Sequence, residues 1–162
     1  MVQARCNPRA HDHVGMRRNG QGSEGGRSAA HRQWSGCGGT PVADVRPYVL
    51  ALVRQQEFTE VWLDAGEEGP ALAMLGNAEH AWLMYLRDHD GDPGFSSRNP
   101  HYAGPPDALM KFMLVNGQGD QYPVAWTLSL EQAVGACEYF VATQGSRSPD
   151  IVWHNDAAGD AT

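Results

Sequence analysis

The chain has 162 residues, 41% of them hydrophobic and 19% charged, which fits one ordinary globular domain with a tail. Its formal charge of −7 divides unevenly: residues 1–40 hold six arginines against two acids, whereas residues 41–162 hold six basic and seventeen acidic side chains. Phosphate backbones are bound by clustered Lys and Arg, so direct nucleic-acid binding by the acidic part is excluded. No apolar run approaches the roughly 18–20 residues that span a bilayer, and the N-terminal arginines lead into no secretory signal.

Cys6, Cys37 and Cys137 are far apart and form no Cys-x-x-Cys pair. They argue against a disulfide framework or a zinc site and predict a cytoplasmic protein. Residues 1–40 contain no Leu, Ile, Phe or Tyr and eight of the nineteen glycines. Such a segment buries too little surface to offset its ordering entropy, so a disordered basic leader is expected over 1–40. Either a dispensable leader or a nucleic-acid-binding arm fits that composition. One folded domain is expected over 41–154, followed by a disordered acidic tail over 155–162.

Asp44 is placed to cap a helix over Val45–Gln55, whose Pro47 falls in the tolerant first turn. Val45, Val49, Leu52 and Val53 share its apolar face. Strands are predicted at Phe58–Asp64, Ala71–Leu75 and Ala81–Arg87, separated by Gly- and Asn-rich breakers. A polar loop is then expected from Asp88 to Pro106. Ala108–Val115 and Tyr122–Leu128 read as a hairpin closed at Asn116-Gly117, since Asn-Gly accepts positive φ. Ser129-Leu130-Glu131-Gln132 has the form of a capping box. It opens a helix to about Thr143, ended by Gly145, and a short strand follows within Pro149–Trp153. This order predicts an α+β domain: an antiparallel sheet of about five to six short strands with two helices packed on one face.

No catalytic constellation emerges. Asp88-His89-Asp90-Gly91-Asp92 imitates the start of a calcium loop, but Pro93 and Asn99 stand where that loop needs Gly and Glu. Cys137 falls on the apolar face of the second helix, where a cysteine acts as a small hydrophobe. Glu131 and Glu138 are placed to share the solvent face of that helix, where a carboxylate pair has no cleft to work in. No metal or cofactor is implied. A contact surface accounts better for the acids Glu67, Glu68, Asp88, Asp90, Asp92 and Asp120, with Phe95 and Tyr102 of the long loop. Aromatic side chains beside charge are what protein interfaces enrich. A small-ligand or metal-binding module, or a small enzyme, stays open as an alternative, as does a plain connector for the loop.

Phe112-Met113-Leu114-Val115-Asn116-Gly117-Gln118-Gly119-Asp120-Gln121-Tyr122-Pro123, then Ser129-Leu130-Glu131-Gln132-Ala133, Tyr139-Phe140, and Gly145-x-Arg147-x-Pro149-x-x-x-Trp153 follow one another. In that order they resemble the first-numbered immunity-protein family of bacterial polymorphic toxin systems. The resemblance covers about residues 45–154, with Asn116, Gly117, Tyr122, Pro123 and Trp153 as its structural motif. It implies a protein without catalytic activity that binds a cognate toxin domain encoded by a neighbouring gene, often a nucleic-acid deaminase. It also implies that Trp153 belongs to the core.

Overall fold

The computed structural model describes residues 3–5, 40–41, 44–88 and 91–158. Ten strands and two α-helices are described, in the order β1 (Gln3–Arg5), β2 (Thr40–Pro41), α1 (Val45–Gln55), β3 (Phe58–Asp64), β4 (Ala71–Asn77), β5 (His80–Leu86), β6 (Phe95–Arg98), β7 (Leu109–Met113), β8 (Gly119–Pro123), β9 (Leu128–Ser129), α2 (Leu130–Ala142) and β10 (Val152–Asn155). The main sheet runs β10-β6-β5-β4-β3-β1-β2, with β9 paired to β5, and β7-β8 form a separate two-stranded sheet. Every pairing is antiparallel. This is the expected α+β fold.

Of the leader expected over 1–40, only Gln3–Arg5 and Thr40 are described, and they are strand rather than coil: β1 adds to the edge of β3 and β2 to β1. The remainder of that leader lies outside the described residues. The tail expected to be disordered over 155–162 is structured where it is described, since Asn155 ends β10 and a 3-10 turn spans Asp156–Ala158; beyond residue 158 it lies outside the described residues.

The sheet buries both faces, and strand alternation decides which side chain goes where. Val61, Leu63, Leu72, Met74, Ala81 and Leu83 point to one face, where Val45 and Val49 of α1 and Val134, Cys137 and Phe140 of α2 complete the larger core. Both helices therefore pack on one face, as the helical spacing of their apolar residues requires. Leu75 and Trp82 point to the other face and meet Phe112 in a second, smaller core. Tyr122 stacks on Trp82 with ring centroids 4.2 Å apart and planes 8° from parallel. The β7-β8 hairpin is thus a lid over the back of the sheet.

Glu60 ties that lid down. It is only 8% exposed, and its two carboxylate oxygens accept from Trp62 Nε1 and from the Val115 backbone N–H, each at 2.7 Å. Asn77 Nδ2 adds a bond to the Lys111 carbonyl at 2.7 Å. The Asn-Gly turn has the expected geometry: Gly117 has φ +85, and Asn116 Oδ1 accepts from the Gln118 N–H at 2.8 Å.

α2 begins and ends as its sequence dictates. Ser129 and Gln132 form the reciprocal capping box. At the far end the Gly145 N–H reaches the Phe140 carbonyl at 2.8 Å and the Gln144 N–H reaches Val141 at 3.2 Å, a Schellman closure. Gln144 supplies the left-handed residue (φ 56), and Gly145 follows at φ +117. A Cβ at Gly145 would lie 2.7 Å from Pro70 and 2.9 Å from Ala65, so glycine is needed for α2 to end against the β3-β4 turn.

Three expectations are corrected. Asp44 has extended backbone but makes no side-chain cap on α1. The nineteen-residue loop from Asp88 to Pro106 is not one loop, because β6 lies inside it and pairs with β5 and β10. The returning strand of the hairpin stops at Pro123, where a 3-10 turn over Val124–Trp126 redirects the chain to β9.

Candidate interaction surface

Register sets which loops share an end of the sheet. Asp64 pairs with Ala71, and Ala71 with Leu86. The β3-β4 turn and the β5-β6 connection therefore emerge together, and the contact of Gly145 with Pro70 and Ala65 brings the C-terminal turn of α2 to the same end. Glu67 and Glu68 are exposed there on the β3-β4 turn, and Asp88 is exposed on the β5-β6 connection. Asp90 lies outside the described residues.

Asp92 is at that end but is committed inward. Its side chain is 2% exposed, and it accepts from Arg87 Nη2 at 2.5 Å and from the Arg87 backbone N–H at 2.6 Å. These bonds to Arg87 hold the Asp92 carboxyl well below the usual carboxylate range. A carboxylate whose oxygens are already used cannot serve as a calcium-loop ligand. Among the described residues no three His, Cys, Asp or Glu side chains gather as metal ligands.

The remaining acids and aromatics of the expected surface are dispersed. Phe95 is half-buried between two guanidinium groups, with Arg147 3.8 Å and Arg87 5.2 Å from its ring centroid. Tyr102 follows β6 at the opposite end of the sheet, where its hydroxyl donates to the Pro105 carbonyl at 3.1 Å. Asp120 lies across from Phe112 in the hairpin, half-buried, and accepts from Gln118 Nε2 at 2.9 Å. Burial, aided by the Asp120 charge, pushes the Tyr122 hydroxyl up to about 12. Glu67, Glu68, Asp88, Asp92 and Phe95 are thus brought to one end, and Tyr102 and Asp120 are not.

Several of the basic side chains are paired at the surface. Arg46 of α1 donates to both oxygens of Glu138 at 2.8 Å and to Glu131 at 2.8 and 3.0 Å. The two glutamates of α2 share an exposed face, as expected, and there they clamp one helix to the other; Arg46 holds the Glu138 carboxyl below its ordinary range. Arg98 lies 3.8 Å over the Trp126 ring and 3.8 Å from Asp156. Pairing in this way leaves the net negative charge to the exposed carboxylates.

Beside the acidic end an open cleft of about 550 Å³ lies under the C-terminal turn of α2, walled by Tyr85, Arg147, Pro149, Ile151 and Trp153. The sequence assigned these residues only to strands and a structural motif, with no binding role. The available signal was the Gly145-x-Arg147-x-Pro149 stretch, where a helix ends and a cation follows at once. Trp153 is half-buried, packs against the larger core and donates from Nε1 to the Ser148 carbonyl at 2.9 Å. Cys137 is fully buried, and burial pushes its thiol up to about 12, so it is no nucleophile at neutral pH.

Compared with protein-family models and with curated proteins, the chain matches none of them. The immunity-protein resemblance accordingly stands on the residues quoted for it. Among the described residues no helix is long and apolar enough to cross a membrane.

Proposed function

We propose that this protein is an immunity protein, which binds a cognate toxin domain in the cytoplasm and neutralises it by occluding its active site. The partner would be encoded by a neighbouring gene and would act on nucleic acid, as a deaminase or nuclease does. The observation that carries this reading is the acidic end of the sheet. Glu67, Glu68 and Asp88 are exposed there together; of the nearest cations Arg87 is committed to Asp92, and Arg147 lies over the ring of Phe95 with its charge unpaired among the described residues.

An enzyme that works on DNA or RNA needs a positive groove. A surface of exposed carboxylates is steered to such a groove and competes with phosphate for it. The pairing of α1 to α2 through Arg46 and the second core under the hairpin give that surface a rigid support. Neutralisation of this kind uses no cofactor and no reaction.

The test is association with the toxin domain encoded next to this gene. Replacing Glu67 and Glu68 with Gln should slow association several-fold at low salt, with the difference closing as salt rises. An association rate indifferent to both substitutions and to salt would remove the acidic end from the mechanism.

A further inference from the structure

We propose that the open cleft under the C-terminal turn of α2 is a receptor for a single carboxylate group, with Arg147 as the residue that binds it. The inference rests on the cleft alone and holds or fails independently of the toxin reading.

Arg147 differs from the other arginines that the fold half-buries. Arg46 is held by Glu131 and Glu138, and Arg98 lies beside Asp156. The Arg147 guanidinium instead lies flat against aromatic rings, 3.8 Å from the Phe95 centroid and 5.5 Å from that of Tyr85. Among the described residues it makes no hydrogen bond or ion pair. Stacking uses the face of a guanidinium and leaves its edge, with five N–H donors, available in the plane. Arg147 lines the cleft.

The position of the group is set in advance. Tyr85 donates its hydroxyl to the Gly145 carbonyl at 3.1 Å, the Asp150 N–H reaches Ser148 Oγ at 3.3 Å, and Trp153 Nε1 reaches the Ser148 carbonyl at 2.9 Å. These bonds pin the chain on both sides of Arg147, so little ordering remains to be done when a ligand arrives. Ser146 adds a hydroxyl to the same cleft.

The chemistry of the walls selects the ligand. A planar guanidinium edge matches a carboxylate with two parallel bonds. Glu67, Glu68 and Asp88 stand exposed at this end of the sheet, and a doubly charged phosphate meets about twice the repulsion from them that a carboxylate does. Ser146 and Arg147 are polar groups on its walls, and Ile151 behind them is buried, so the carboxylate carries the recognition. A small organic acid has this form.

The experiment is a titration of the full chain followed by backbone amide and arginine side-chain NMR. The probes are N-acetyl-phenylalanine, its neutral amide, and phenyl phosphate. Saturable shifts at Arg147, Ser146 and Trp153 with the acid, weakened about tenfold or more with the amide, are expected. Arg147→Gln should abolish the response to the acid, and Arg147→Lys should recover only part of it, because a point charge lacks the planar edge. Both variants should keep the wild-type spectrum away from the cleft. Equal binding of acid and amide would reduce the site to an apolar groove and overturn the proposal. A preference for phenyl phosphate, no saturable shift at millimolar acid, or undiminished binding by Arg147→Gln would each overturn it as well.

Discussion

Glu60→Gln is the substitution that most directly probes how the back of the sheet is held. The change keeps the side-chain shape and alters only the two acceptors. In the structure both carboxylate oxygens are used, one by Trp62 Nε1 and one by the Val115 N–H, each at 2.7 Å, at a residue 8% exposed. A carboxamide has one oxygen and an NH₂. Whichever way it turns, one of the two N–H donors then faces another donor. One charge-assisted bond is lost and one donor is stranded away from water, at a cost of about 2 kcal/mol. For a domain of this size that lowers the Tm by roughly 8 °C. The loss should be local as well as global: amide exchange at Val115 and along β7-β8 should accelerate more than in α1 or α2, because Glu60 and Trp62 lie on the face of the sheet that the hairpin covers, away from both helices. A melting curve and native-state hydrogen exchange check both. An unchanged Tm with unchanged protection at Val115 would refute the claim that this buried carboxylate fastens the lid.

Other expectations follow from the same geometry. In a chain carrying Cys6→Ser and Cys37→Ser, Cys137 should resist an aromatic disulfide reagent until the protein unfolds, since it is buried and its thiol is pushed up to about 12; rapid native labelling would contradict that placement. Asp92 is held below its ordinary range chiefly by Arg87, so its contribution is complete above about pH 4 and is lost as the pH falls further. Asp92→Asn should therefore lower the Tm at neutral pH and flatten its acid dependence, while Glu68→Gln, exposed on a turn, leaves both unchanged. Gly145→Ala should destabilise by about 1–3 kcal/mol, read from denaturant unfolding, because it combines φ +117 with a Cβ 2.7 Å from Pro70; a neutral result would mean that the turn yields.

Local signals in the sequence foretold local structure well. α1 spans Val45–Gln55 and β3 spans Phe58–Asp64, the predicted bounds, because apolar periodicity and breaker residues are written into adjacent positions. The capping box of α2 was legible for the same reason. β6 was not, since Phe95-Ser96-Ser97-Arg98 has no apolar alternation. Its serines are nonetheless buried, 1% and 0% exposed, because distant groups satisfy them: Asp156 accepts from Ser96, and Ser97 bonds the Trp126 carbonyl and the Leu83 N–H. Such partners lie far along the chain and leave no trace in a short window.

The candidate surface was legible in kind and not in arrangement. Acid excess was evident from counting. Which acids are paired was not: Asp92 is taken by Arg87, and Glu131 and Glu138 by Arg46, through contacts that form only when elements meet. The cleft under α2 escaped for a related reason, because its walls come from β5, the turn after α2, and β10. Serine, proline and arginine after a helix read as a connector until the strands beneath them are in place.

The central claim is that the acidic end of this fold binds a toxin domain. The measurement that tests it most directly is a binding titration between the purified chain and the toxin domain encoded by the adjacent gene, at low and at high salt, with toxin activity read in parallel. A stable complex is expected, whose formation abolishes activity and whose association slows as salt rises. Failure to bind that domain, or binding that leaves its activity intact, would contradict it.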